Sequence, residues 1–199
     1  MIIDHSEKTI SLKIVYFGPA MSGKTTSIRS LFSEFGKNES LQSIESTVRR
    51  TLFFDYGTVT FQNKEWNLKT HIYTTTGQDF YLVTRPITLR GVDGVIFVID
   101  SQQDAYERNL ISWNEIISYF GESIEDLPTI IAFNKQDLPD KLNSIQFLKD
   151  IRSYNLKNID SRYTIAITGE GILDCFEDIL GLVLKKYSDF ESISTINYN

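Results

Sequence analysis

The stretch GPAMSGKTT, Gly18–Thr26, follows an apolar run and opens a helical pattern. Two glycines bracket four residues, and a lysine and a threonine follow, which fits the phosphate-binding pattern G-x-x-x-x-G-K-[ST]. Such a loop works only between a strand and a helix, so it commits the chain to a strand–loop–helix unit. Glycines let backbone N–H groups wrap phosphates, and the helix N-terminus adds positive dipole. In that reading Gly18, Pro19, Ala20, Met21, Ser22, Gly23, Lys24, Thr25 and Thr26 form the phosphate cradle. Lys24 reaches the β- and γ-phosphates, and the Thr25 hydroxyl is a ligand to Mg²⁺. A plain glycine turn with a chance lysine is the bland alternative, and the flanking strand and helix count against it.

The rest of the chain alternates in the same way. The spacing predicts strands at Ile10–Phe17, Thr51–Phe61, Trp66–Tyr73, Gly94–Asp100, Thr129–Asn134 and near Tyr163–Ile167. Helices are predicted from Thr25, near Asp104–Phe120, near Ser144–Tyr154 and near Ile172–Lys186. GKNESLQSIESTVRR is polar and unperiodic and reads as a loop. The runs GVIFV and IIAF inside GVIFVID and TIIAFN are continuously apolar, as strands buried on both faces are. Together these features predict an α/β fold with a mostly parallel sheet and one antiparallel hairpin. Ligands in such sheets sit at the carboxyl ends of the strands, so the segments after Phe17, Tyr73, Asp100, Asn134 and Ile167 share one rim.

On that rim NKQD, Asn134–Asp137, selects a base. The Asp137 carboxylate can accept from the guanine N1–H and exocyclic amine, a donor pair that adenine lacks. Asn134 braces the loop and reaches the N7 edge, and the Lys135 stem lies across the base. AITGEG, Ala166–Gly171, supplies a third station, where a backbone N–H at Ala166 or Ile167 meets guanine O6. Read alone, AITGEG is equally an ordinary strand-to-helix turn.

Composition narrows the class further. The chain has 199 residues and a formal net charge of −6, which suits one domain and argues against a broad nucleic-acid surface. Residues 1–187 are expected to form that domain, and the polar stretch 188–199 a frayed tail. The one cysteine, Cys175, falls in an apolar helical pattern and reads as a buried core residue. No apolar run spans a bilayer, residue 2 is not glycine and no cysteine sits near the C-terminus, so no direct membrane anchor is expected. His71 and the tryptophans Trp66 and Trp113 read as packing residues, and His5 lies in the terminus. Phe53 or Phe54 can point outward and suit a partner surface.

These motifs resemble those of the Ras-like small GTPases over about Ser11–Tyr187. KIVYFGPAMSGKTT, RTLFFDY, THIYTTTGQ and LRGVDGVIFVIDSQ are most similar to the MglA branch of prokaryotic polarity and gliding GTPases. The resemblance implies a six-stranded P-loop G domain, strand order 2-3-1-4-5-6, with helices on both faces. It implies a switch that binds GTP or GDP with Mg²⁺ and hydrolyses GTP, slowly without an activator. Thr51 then joins Thr25 as a metal ligand. The Gly77 N–H meets the γ-phosphate, Gln78 positions water, and Arg50 serves as an arginine finger supplied in cis, with Arg49 as its rival. Arg85 or Arg90 is a further source of a catalytic arginine. The implied partners are a Roadblock/LC7-domain GTPase activator and effectors that read the GTP state. The implied setting is a monomeric cytoplasmic G domain, recruited to a membrane or cell pole through partners.

The chain departs from the Ras pattern at three places. Thr74 stands where an aspartate usually contacts the metal shell, and Asp55 or Asp100 can be offered as a replacement. Ala20 and Met21 replace glycines of the phosphate loop. These departures favour a rival reading, a nucleotide-dependent scaffold with little or no hydrolysis. A small-molecule kinase is weaker still, because it leaves NKQD unexplained.

Overall fold

A computed structural model describes residues 1–36, 42–45, 51–62, 65–75, 85–151 and 156–196, with backbone alone at 42–45, 51–56 and 188–196. Six strands build the predicted sheet: β2 (Thr9–Phe17), β4 (Thr51–Gln62), β5 (Asn67–Thr74), β6 (Gly94–Asp100), β7 (Thr129–Asn134) and β8 (Ile159–Tyr163). Their order is β4-β5-β2-β6-β7-β8, which is the expected 2-3-1-4-5-6. β4 and β5 pair antiparallel, and the other neighbours in this set pair parallel. Two short strands extend the sheet. β1 (Ile2–Asp4) folds back on β2, and β3 (Gln42–Glu45) pairs with the outer edge of β4. β3 lies in the stretch read as loop. Its four residues carry no period of their own, and the unpaired edge of β4 is what recruits them.

The helices are α1 (Lys24–Glu34), α2 (Arg85–Leu89), α3 (Tyr106–Phe120), α4 (Ser144–Ile151) and α5 (Ile172–Ile196). Side chains on β2 alternate between two cores. Leu12, Ile14 and Tyr16 pack with Ile28 and Phe32 of α1 and Phe176 and Ile179 of α5. Val15 and Phe17 pack on the opposite face with Trp113 and Ile116 of α3 and Phe147 of α4. Every residue of β6 and β7 is buried, because helices cover both faces there. Each fully buried large apolar side chain contributes about 1.5–3 kcal/mol relative to exposure.

Two boundaries move from their expected places. The last strand is Ile159–Tyr163 and not Tyr163–Ile167. It is a polar edge strand, while Thr164 and Ala166 are buried beneath a loop without sheet pairing. In TIAI it is Thr164 and Ala166 that are buried, while Ile165 is half-buried and Ile167 exposed, so the apolar letters there mark no sheet strand. Helix α5 continues beyond Lys186 to Ile196. No proline or glycine follows Gly181, so the chain carries no stop signal there.

The residues expected to pack do so. Trp113 is buried edge-on to Phe97, and Trp66 meets His5 edge-on. His71 lies 3.3 Å from the Thr58 hydroxyl, and burial holds its pKa below the ordinary value. Cys175 is buried, and burial pushes its thiol up to about 12, so it stays protonated and inert. Phe53 and Phe54 lie outside the described side chains.

Candidate functional site

The loop Gly18–Gly23 leaves β2 at the carboxyl rim and delivers the chain into α1, whose N-cap is Gly23. Three of its residues have left-handed backbones: Gly18 at φ 139, Met21 at φ 63 and Gly23 at φ 103. The Lys24 ammonium folds over the loop and donates to the carbonyls of Gly18 at 2.8 Å and Pro19 at 2.6 Å. Lys24 is buried and Thr25 half-buried, both in the first turn of α1, while Thr26 is exposed. The N-terminal dipole of α1 and the Lys24 charge make this corner positive.

Asn134 ties that loop to two others. It ends β7, and its Nδ2 donates to the Ser22 carbonyl at 2.8 Å. Its Oδ1 accepts from the Ala166 N–H at 2.9 Å and from the Thr164 hydroxyl at 3.3 Å. Asn134 is almost fully buried, so all three bonds form away from water, where a lost partner costs about 1–3 kcal/mol. The close approach explains Gly23. A Cβ there would lie 2.2 Å from Asn134 Nδ2. Gly23→Ala is expected to break the clasp and strain a left-handed backbone, lowering stability by about 1–3 kcal/mol. Thermal unfolding of the variant checks it, and an unchanged melting temperature would show that the loop yields freely.

Between the three joined loops lies a cavity of about 300 Å³. Its wall includes Met21, Gly23 and Thr26 from the first loop, Asn134, Lys135, Asp137 and Leu138 from the second, and Ala166 and Ile167 from the third. Met21 and Ile167 are exposed at its lip, 71% and 74% respectively. Asp137 is exposed as well, so its carboxylate is available to a ligand. Ala166 N–H is committed to Asn134 in this structure, which revises the expectation that it faces an incoming base.

The structure also settles several side chains that sequence left open. Asp100 and Asn134 are register partners at the ends of β6 and β7. Asp100 is buried and accepts from Lys135 Nζ at 2.7 Å, so it is occupied inside the loop network and is not a replacement for the missing metal-shell aspartate. Thr74 is fully buried at the end of β5. Arg85 is buried, paired with Glu115 and 5.8 Å from the Phe17 ring centroid. That pairing removes Arg85 as a source of a mobile arginine. Arg49, Arg50, Gly77 and Gln78 lie outside the described residues, as do the side chains of Thr51 and Asp55.

The oxygen donors present suit a hard cation that arrives with phosphate. Thr25 offers one hydroxyl at the helix start. Among the described residues, no group of three or more histidine, cysteine or acidic side chains could hold a metal ion by itself. A cation held by one or two protein oxygens plus phosphate oxygens is the Mg²⁺ pattern.

Comparison with known proteins agrees with this geometry. The family profile described as "Ras of Complex, Roc, domain of DAPkinase" matches residues 13–137. The chain belongs to the Ras-like small GTPases. It is 34% identical over 190 residues to the mutual gliding-motility protein MglA of Myxococcus xanthus, covering 92% of this chain and 96% of that protein. It is 30% identical over 123 residues to the Ras-related protein Rab-5B of Plasmodium falciparum, covering 61% of this chain and 56% of that protein. The human ADP-ribosylation factor-like protein 4C is 27% identical over 182 residues, with 88% of each chain covered.

Sequence reasoning missed the Asp100–Lys135 pair and the bond from Gln136 Nε2 to Ser101 Oγ at 2.9 Å. An acidic residue ending the strand beside NKQD was the available signal.

Proposed function

We propose that the chain is a guanine-nucleotide switch that binds GTP or GDP with Mg²⁺ and hydrolyses GTP to GDP and phosphate. The base-sized cavity bounded by three loops and closed by Asn134 carries this reading. Asp137 reads guanine, and the Lys135 stem forms a wall of the cavity. Gly18–Thr26 hold the phosphates, with the Lys24 charge on the β- and γ-oxygens. Thr25 and Thr51 would hold Mg²⁺, which when bound neutralises charge on those oxygens. Gly77 donates to the γ-phosphate, Gln78 orients the water, and Arg50 stabilises charge developing on the phosphoryl group. Likeness to the mutual gliding-motility protein MglA over nearly all of both chains supports a role in motility. The polarity role, the Roadblock-domain activator and the GTP-state effectors are what the family resemblance implies. No described helix is long and apolar enough to cross a membrane.

Thr74 in place of an acidic residue favours a second reading, a binding module that hydrolyses little. Single-turnover hydrolysis of GTP, with and without a Roadblock-domain partner, separates the two. Expected are retention of GTP over ATP and turnover that rises with the partner. Retention of GTP without turnover under either condition selects the module. Failure to prefer GTP over ATP overturns both.

A further inference from the structure

Asp100 has no part in the reading above, yet it is a buried acid paired with Lys135 of the cavity wall. Its side chain is 3% exposed. A buried carboxylate persists only with strong partners. Its Oδ2 accepts from Lys135 Nζ at 2.7 Å and lies 3.8 Å from the Arg108 guanidinium. Its Oδ1 accepts from the Gln102 N–H at 3.2 Å. Helix α3 grips the same residue from below. The Asn109 side chain accepts from the Asp100 N–H at 3.2 Å and donates to the Asp100 carbonyl at 2.8 Å. The carboxylate is therefore a fixed point, set by the end of β6 and by α3.

Lys135 is the opposite kind of residue. It lines the cavity with a left-handed backbone, φ 66, which is unfavourable for any side chain with a Cβ. Its long stem has four rotatable bonds and loses about 2 kcal/mol of rotamer freedom when ordered. Left alone, such a stem samples solvent. Anchored at its ammonium by Asp100, it is held along the wall before any ligand arrives, and binding then loses less entropy.

We propose that Asp100 is a positioning residue for the guanine nucleotide: its carboxylate anchors the Lys135 ammonium, keeps the lysine stem as a preformed wall of the cavity and slows nucleotide release. This rests on the guanine reading of the cavity. The full chain is loaded with a fluorescent N-methylanthraniloyl derivative of GDP, and release is followed after adding excess GDP. Asp100→Asn keeps the shape and removes the charge, and it is expected to release about 10-fold faster, equivalent to ~1.4 kcal/mol. Lys135→Met keeps a stem without an ammonium. It also releases faster, and adding Asp100→Asn to it changes the rate by less than about 2-fold, because the interaction is already gone. Arg108 is half exposed and more distant, so Arg108→Ala changes release by less than about 2-fold.

Equal acceleration by Asp100→Asn in both backgrounds overturns the proposal, since a general loosening of the rim does not depend on Lys135. Unchanged release in Asp100→Asn overturns it as well, and so does unchanged release in Lys135→Met, which covers the case of an Asp100 variant that fails to fold. A wild-type chain that retains GDP while the variants behave in these ways isolates the failure to Asp100. A wild type that retains no guanine nucleotide overturns the guanine reading, and the anchor with it.

Discussion

Asp137→Asn is expected to weaken GTP binding by about 10²–10⁴-fold and to shift preference toward xanthosine triphosphate. The physical basis is the pairing at the base edge. A carboxylate accepts from two guanine donors, and each such charge-assisted bond contributes about 1.5–3 kcal/mol. At ~1.4 kcal/mol per decade, loss of both gives the stated range. The replacement amide donates from its nitrogen, and xanthine presents a carbonyl where guanine presents an amine. Recovery of binding with xanthosine triphosphate therefore separates lost recognition from lost folding. Asp137 is exposed, so the substitution leaves the core untouched. An Asp137→Asn variant that keeps the wild-type preference for the guanine over the xanthine triphosphate would remove Asp137 from base recognition. Asn134 does not offer so clean a test. Its side chain holds Ser22, Thr164 and Ala166 together, and any change there disturbs three loops at once.

Arg50→Ala and Gln78→Leu are each expected to cut activator-stimulated hydrolysis by at least about 10²-fold while GTP affinity changes far less. Both residues are proposed to act on the transition state, one on its charge and one on the attacking water. Interactions made only there lower turnover and leave ground-state binding nearly unchanged. If the two act as a unit, the double variant costs less than the product of the singles. Arg49→Ala is the control and is expected to be nearly silent. A dead Arg49→Ala beside an active Arg50→Ala would move the role to its neighbour. Silence of both would point to an arginine from a partner or to Arg90. Arg85 is no longer a candidate, because its guanidinium is buried against Glu115 and the Phe17 ring.

Local chemistry makes the phosphate loop legible in the linear chain. Gly18, Gly23, Lys24 and Thr25 stand at fixed offsets between a strand and a helix, and those offsets alone carry the phosphate-binding geometry. The continuous apolar stretches inside β6 and β7 likewise declare their burial, as expected of strands covered on both faces. The strand order followed from the family resemblance, because right-handed crossovers and pattern restrict the choices without fixing one. What the linear chain does not contain is which residues from distant segments share a bond. Asn134 and Ser22 are joined across 112 positions, and Asp100 and Lys135 across 35. No local period or spacing announces the first pair, and the second is hinted at only by an acidic residue ending the strand beside NKQD. The same holds for the misplaced last strand, where Ala166 is apolar because it is buried beneath the loop network and not because it pairs in the sheet. Residue type and spacing determined that the segments Gly18–Thr26 and Asn134–Asp137, proposed to hold phosphate and base, share one α/β rim. The tertiary fold decided how those loops are clasped, because buried hydrogen bonds and ion pairs depend on distances that only the packed sheet and helices set.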